Sequence, residues 1–264
     1  MKRYRLFFAI PAAALIVLLC YSITRAMMIY IPQQREKRDF NALKESVRIS
    51  EHSTDTESGV GGDGNVGDNA SGTREYKYQP LVQQNSDFVG WLTIDDSLID
   101  YPVMKSSEDD PEYYLHRDFY GKASSSGCLF VGGGCDTDSE AFIIYGHNMN
   151  NDTMFGTLDS YYDYDYAVSH QDIRFSAPDG ERVYRVFAAF QTRVYNDRDD
   201  VFKYYNEVGQ LGEDEYEQTV ETVRSMSIPS LPYAPEYPAQ IMFLSTCSYH
   251  TDDGRFVVAA YRIT

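Results

Sequence analysis

Three patterns of apolar and polar residues succeed one another along this chain. From Leu6 to Thr24 no side chain is charged; from Gln33 to Arg48 Phe40, Leu43 and Val47 recur at helical spacing among charged residues; from Gly90 onward short runs of Val, Ile, Phe and Tyr alternate with turn residues. The first stretch is flanked by Lys2, Arg3, Arg5 and Arg25. Roughly 19 residues at about 1.5 Å each match the ~30 Å hydrocarbon core, so residues 6–24 are expected to span a membrane. No small-residue cleavage site follows the apolar run, which favours an uncleaved anchor over a signal peptide. The basic residues that open the chain put its N-terminus on the cytoplasmic side and the rest outside. Cys20 follows Leu19, too large for a lipoprotein cleavage site, and reads as one more residue of the span.

The second pattern predicts a short helical stalk. After it, residues 50–72 are dominated by Ser, Gly, Asp, Asn and Thr, a composition that buries too little surface to offset the entropy of ordering and predicts a tether. The expected organisation is a cytoplasmic tail (1–5), an anchor (6–24), a stalk and linker (25–79) and a folded domain (80–264).

In that domain, residues 80–88 predict a short helix. Candidate strands follow at 90–94, 99–104, 127–131, 141–145, 173–177, 182–194, 240–246 and 256–263. Eight short strands predict a mainly β domain, a closed barrel or a sandwich. Ala177-Pro178-Asp179-Gly180 and Asp252-Asp253-Gly254 supply tight turns. Residues 208–226, with Leu211, Tyr216, Val220 and Val223 at three- and four-residue steps, predict a helix inserted between two strands.

The net charge of −17 is unevenly spread. Residues 1–48 hold nine basic and three acidic side chains, leaving 14 against 37, or −23, for the remainder. Such a surface repels nucleic acid and attracts amines and cationic peptides.

The candidate chemistry sits at strand ends. Cys247 closes the run Phe243-Leu244-Ser245-Thr246-Cys247, and Arg255 follows the Asp-Asp-Gly turn. If the flanking strands form an antiparallel hairpin, the thiol and guanidinium lie about 5 Å apart on facing ends, with Ser245 pointing as Cys247 does and Thr246 the other way. His147 ends another apolar run, in Tyr145-Gly146-His147-Asn148-Met149. An imidazole beside a thiol supplies the positive charge that favours thiolate and a proton for a departing amine. A guanidinium cannot act as base but can hold an oxyanion. Taken singly, each has an ordinary reading: a buried inert cysteine, a turn histidine, a surface arginine.

Together, these two motifs with Arg255-Phe256-Val257-Val258 closely resemble the sortases, membrane-anchored cysteine transpeptidases of Gram-positive bacteria. Asn85-Ser86-Asp87-Phe88-Val89-Gly90-Trp91-Leu92, Ile99-Asp100-Tyr101-Pro102-Val103 and Tyr113-Tyr114-Leu115 are similar to class B in particular. The resemblance covers about residues 80–264 and implies an eight-stranded barrel with an N-terminal helix and a helix before the cysteine-bearing strand. It implies that Cys247 is the nucleophile forming a thioacyl bond with a C-terminal sorting signal, His147 the general acid and base, and Arg255 the substrate-orienting or oxyanion-binding cation, with Ser245 and Thr246 as substrate-binding candidates. The implied acceptor is an amine of a peptidoglycan precursor or cross-bridge; a pilin lysine, or water in a wall-peptide hydrolase, is the alternative. No cofactor, metal or nucleic acid is expected.

Two departures stand out. Phe243 replaces the threonine that usually opens the cysteine motif, and Tyr249 stands where some relatives carry an acid, leaving Asp252 or Asp253 as the conjectural fourth catalytic group. Cys128 and Cys135, in Gly127-Cys128-Leu129-Phe130-Val131-Gly132-Gly133-Gly134-Cys135, offer a disulfide closing a small loop, with two free thiols or, more rarely, a metal pair as the alternatives. Asp136, Asp138 and Glu140 lack the glycine of a calcium loop and read as a solvated acidic turn. The tyrosines of residues 161–166 read as half-buried packing.

Overall fold

The computed structural model describes the backbone of residues 2–57 and 77–264, and side chains at 17–28, 30, 31, 34–47 and 77–264. The chain divides into two compact units, residues 1–42 and 43–264. Helix α1 (Lys2–Glu57) runs without interruption through the expected anchor and stalk. It also covers Ser50–Glu57, where a tether was expected; extending an existing helix avoids the cost of nucleating one. The rest of the expected tether, from Ser58, lies outside the described residues. Most side chains of the expected membrane span do too, and among the described residues no helix is long and apolar enough to cross a membrane. Its described part leaves Val17, Leu18, Leu19, Tyr21 and Ile23 exposed.

In the second unit, Leu43 and Val47 are buried, and Lys44 Nζ lies 2.8 Å from a carboxylate oxygen of Asp100. That carboxylate also accepts from Trp91 Nε1 (2.6 Å) and Thr93 Oγ1 (3.2 Å). Burial would raise its pKa, but these donors and the Lys44 charge together outweigh it and hold the group below the usual carboxylate value.

Helix α2 (Gln79–Gln84), with Pro80 in its first turn, is shorter than expected because Phe88 already begins β1 (Phe88–Ile94). The remaining strands are β2 (Asp100–Lys105), β3 (Leu129–Val131), β4 (Ala141–Tyr145), β5 (Asp172–Ala177), β6 (Gly180–Arg193), β7 (Ile241–Cys247) and β8 (Gly254–Arg262). They close into one eight-stranded barrel in the order β1-β2-β3-β4-β7-β8-β6-β5, which settles the choice between barrel and sandwich. Closure leaves no sheet edge. The β2–β3 and β4–β7 pairs are parallel, and the others antiparallel. Inward-facing Phe142, Phe175 and Tyr184 are fully buried, with Phe142 6.1 Å from Phe175 and 6.0 Å from Tyr184 between ring centroids, while Phe243, on the other face of β7, is buried 6.1 Å from Tyr204.

Helix α3 (Tyr164–Ser169) is capped by Asp163, which accepts from the Tyr166 N–H. Tyr161 of the tyrosine run is fully buried, as packing residues should be, and its hydroxyl donates to His170 O (2.7 Å). Helix α4 (Glu213–Met226) starts later than expected because Gly209 pairs with Ala141; Glu215 Oε2 then accepts from the Gly212 N–H (3.2 Å). Its buried Tyr216, Thr219, Val220 and Val223 form the face toward β6.

Cys128 and Cys135 are buried, separate thiols, so the offered disulfide is not formed. The glycine turn brings the Cys135 sulfur to 3.7 Å from Gly132 O. Cys128 lies before β3 (Leu129–Val131) and Cys135 beyond the glycine turn that follows it, so an extended strand separates the two. Lys105 Nζ clamps the turn by donating to Gly132 O (3.1 Å) and to Cys135 O. The acidic turn behind it is tied to protein groups: Asp136 accepts from the Asp138 N–H (2.8 Å), Asp138 pairs with Arg182 (2.6 Å) and Glu140 accepts from the Leu211 N–H (2.8 Å).

Candidate active site

The parallel pairing of β4 and β7 joins chain segments a hundred residues apart and sets Tyr145 opposite Ser245. Three hydrogen bonds extend that contact beyond the strands. The Gly146 N–H donates to Ser245 O (3.1 Å), Thr246 Oγ1 to Gly146 O (2.7 Å) and Asn148 Nδ2 to Cys247 O (2.9 Å). His147 is thus pinned between two residues bonded to the cysteine strand. Gly146 is required for this approach, since a Cβ there would meet Leu129 Cδ2 at 2.4 Å and Phe155 Cδ2 at 2.7 Å.

His147 Nε2 lies 2.8 Å from Leu115 O. A carbonyl only accepts, so Nε2 carries the hydrogen, and Nδ1 is the nitrogen left for proton exchange. Leu115 belongs to a 3-10 turn, Tyr113–His116, that is itself anchored. Tyr114 OH donates to Asp87 Oδ2 (2.8 Å) and accepts from Asn85 Nδ2 (3.0 Å), and the Cys128 N–H donates to Tyr114 O (3.0 Å). The class B-like stretch at Asn85 and Asp87 therefore acts on the site through Tyr114. Gly127 completes the seat: it has φ +60°, and a Cβ there would stand 2.4 Å from Leu115 O. Its left-handed backbone is also why β3 begins at Leu129 rather than Gly127.

Cys247, half-buried, ends β7 directly opposite Arg255 on β8, in the register expected from the hairpin. The turn between them is tight, with Asp253 at φ +55° and the Ser248 N–H bonded to Gly254 O (2.9 Å). Arg255 Nη1 donates to Gly254 O (3.0 Å) and Asp253 O (3.3 Å), which fixes the guanidinium without neutralising it.

His147, Cys247 and Arg255 line one cleft of about 380 Å³, together with Ser245 and Thr246. All five sequence-derived site residues therefore meet. The hydroxyls of the last two are engaged internally: Thr246 with β4, as above, and Ser245 Oγ with Tyr204 OH at 2.8 Å. Asp252 and Asp253 do not line the cleft. Burial, with a smaller contribution from the neighbouring His116 ring, holds His147 below the usual histidine value, partly opposed by the Leu115 carbonyl. Burial likewise pushes Tyr204 up to about 12, so its hydroxyl stays protonated.

Sequence reasoning missed Tyr204 and Tyr205, which line the cleft from the long connection between β6 and β7. It also missed the Asn148 clasp, the Leu115 carbonyl and the second imidazole, His116. Asn148 and Leu115 stand inside the quoted motifs; the tyrosines carry no local signal in a chain with 23 of them.

The Sortase domain family model matches residues 92–263, from within β1 to the end of β8. The chain belongs to the sortase family. It is 30% identical over 200 residues to sortase B of Listeria monocytogenes, covering 74% of this chain and 78% of that one. A crystal structure of sortase B from B. anthracis superposes with TM-score 0.60 at 28% identity, covering 71% and 84% of the two chains. A Staphylococcus aureus sortase B–substrate complex shares the fold with TM-score 0.69 at 21% identity, covering 89% and 99%. These relatives make class B the matching branch. The enzyme is accordingly a cysteine transpeptidase of cell-wall protein anchoring.

Proposed function

We propose that this sortase cleaves a C-terminal sorting signal of secreted proteins through a thioacyl bond to Cys247 and passes the acyl group to an amine of a peptidoglycan precursor or cross-bridge. The observation carrying this reading is the meeting of thiol, imidazole and guanidinium in one cleft. The Cys247 thiol passes its proton to the free Nδ1 of His147 as the sulfur adds to the scissile carbonyl, and Arg255, already fixed by its own turn, holds the developing oxyanion. His147 gives its Nδ1 proton to the departing amine as the C–N bond breaks, leaving a thioester. The acceptor amine then attacks that thioester, His147 takes its proton at Nδ1, the C–S bond breaks, and the proton returns from His147 to the departing sulfur to restore the Cys247 thiol.

Ser245, braced by Tyr204, and Thr246, braced against Gly146, shape the floor on which the peptide lies. The −23 charge of the outward part favours arrival of cationic amines. Residues 6–24 anchor the chain with residues 1–5 in the cytoplasm and residues 80–264 outside; the exposed apolar side chains from Val17 to Ile23 support this.

The test is to incubate the enzyme with a sorting-peptide library and wall-derived amines and to sequence the product junction by mass spectrometry. A wall-peptide amine at the junction supports the proposal, whereas a protein lysine or a free carboxylate would replace it with pilus assembly or hydrolysis. Cys247→Ala should give no product while keeping the native fold.

A further inference from the structure

The 3-10 turn Tyr113–His116 addresses His147 twice. Leu115 offers its carbonyl to Nε2 at 2.8 Å, and the next residue, His116, lays its ring beside the same imidazole, with centroids 5.6 Å apart and planes at 32°. The two rings differ in setting: His147 is half-buried, whereas His116 is exposed. Other titratable and charged groups reach the cleft from every side: Glu112 beside the same turn, Tyr145 from β4, Cys247 from β7, Arg255 from β8, and Tyr204 and Tyr205 from the β6–β7 connection. Beside these, His116 is the ionisable ring tilted against His147 itself.

We propose that His116 is a positioning residue that sets the proton affinity of His147, so that the two imidazoles titrate as a coupled pair and the second proton enters at lower pH than it would on His147 alone. Two like charges at this separation repel, and the cost is largest where one ring is partly desolvated. The direction agrees with the contribution of His116 to holding His147 in its neutral form. Because Leu115 and His116 are adjacent in one rigid turn, the contact that aims the His147 ring also brings up the neighbour that tunes it. Macroscopic titration steps then belong to the pair rather than to either ring. The consequence for catalysis rests on the acid–base role proposed above for His147; the coupling itself does not.

The experiment follows the full chain, labelled at histidine carbons, by NMR titration, with the His147 signal assigned by its loss in His147→Gln. In His116→Gln the His147 midpoint is expected to move to higher pH. In His116→Lys, which keeps a cation at the position, it is expected to return below that of His116→Gln, and high salt should narrow the gap between the two variants. Identical His147 midpoints in wild type, His116→Gln and His116→Lys would overturn the proposal. The acid limb of kcat/KM should shift with the NMR midpoint. A midpoint that moves while the limb stays fixed would uphold the coupling and remove His147 from the acid–base role. Since His116 is exposed, the variants should keep the wild-type circular dichroism.

Discussion

Asn148→Ala separates the placing of His147 from the stability of the barrel. The amide removed makes one neutral, half-buried hydrogen bond to Cys247 O at an ordinary 2.9 Å. Such a bond contributes about 0.5–1.5 kcal/mol net, so the variant should lose about 1 kcal/mol in chemical denaturation. The β4–β7 ladder survives, because five paired positions, the Gly146 to Ser245 bond and the Thr246 to Gly146 bond all remain. The segment after Gly146, however, loses its tie to the residue that carries the sulfur. A displacement of about 1 Å between reacting groups typically costs on the order of 100-fold in rate, so kcat should fall roughly 10- to 100-fold with little change in KM. The assay is cleavage of a fluorogenic sorting peptide, alongside urea unfolding of the same preparation. Wild-type kcat in a variant that has lost the expected stability would show that the clasp does not place His147, and the reasoning would fail.

Other substitutions probe the seat of the histidine and its titration. Gly127→Ala forces a Cβ toward Leu115 O and a side chain into φ +60°, costing about 1–2 kcal/mol from the backbone alone; kcat/KM should drop further than the loss of folded protein accounts for. Because burial keeps the His147 ring below its ordinary value of 6.5, the unfolded chain takes up a proton first as pH falls below that value. The stability associated with the neutral ring is complete above pH 6.5 and declines toward the lower folded-state value, so Tm of wild type should fall more steeply over that window than Tm of His147→Gln. Cys128 and Cys135 should resist thiol alkylation until the chain is unfolded, and the unreduced protein should have the mass of two free thiols; a mass two daltons lower would reinstate the disulfide.

What could be read from the sequence follows the range of the interactions that fix each feature. The β7–β8 hairpin was legible down to the facing of Cys247 and Arg255, because a tight turn and strict alternation determine register locally. The strand count was legible, but barrel closure depends on the parallel β2–β3 and β4–β7 pairings, which join distant segments without a turn to announce them. Local composition was also a poor guide to Ser50–Glu57, where an existing helix continues through polar residues. Cys128 and Cys135 are close in number yet held apart by an extended strand and a glycine turn pinned by Lys105. Tyr204 reaches the floor of the cleft from a connection whose path is set by the Ala141–Gly209 bridge and the Glu140 to Leu211 bond, both contacts with a remote strand. The chemical groups were visible in the motifs; the scaffold that aims them, Asn85, Asp87, Tyr114 and Gly127, gained meaning from the folded turn.

The account depends on Cys247 being the atom that takes the acyl group. Tandem mass spectrometry of the enzyme quenched in acid during turnover of a sorting peptide tests this directly. A thioester mapped to Cys247, absent in Cys247→Ala and discharged by added amine, is the expected result. An adduct on any other residue, or turnover by Cys247→Ala at the wild-type rate, would contradict it.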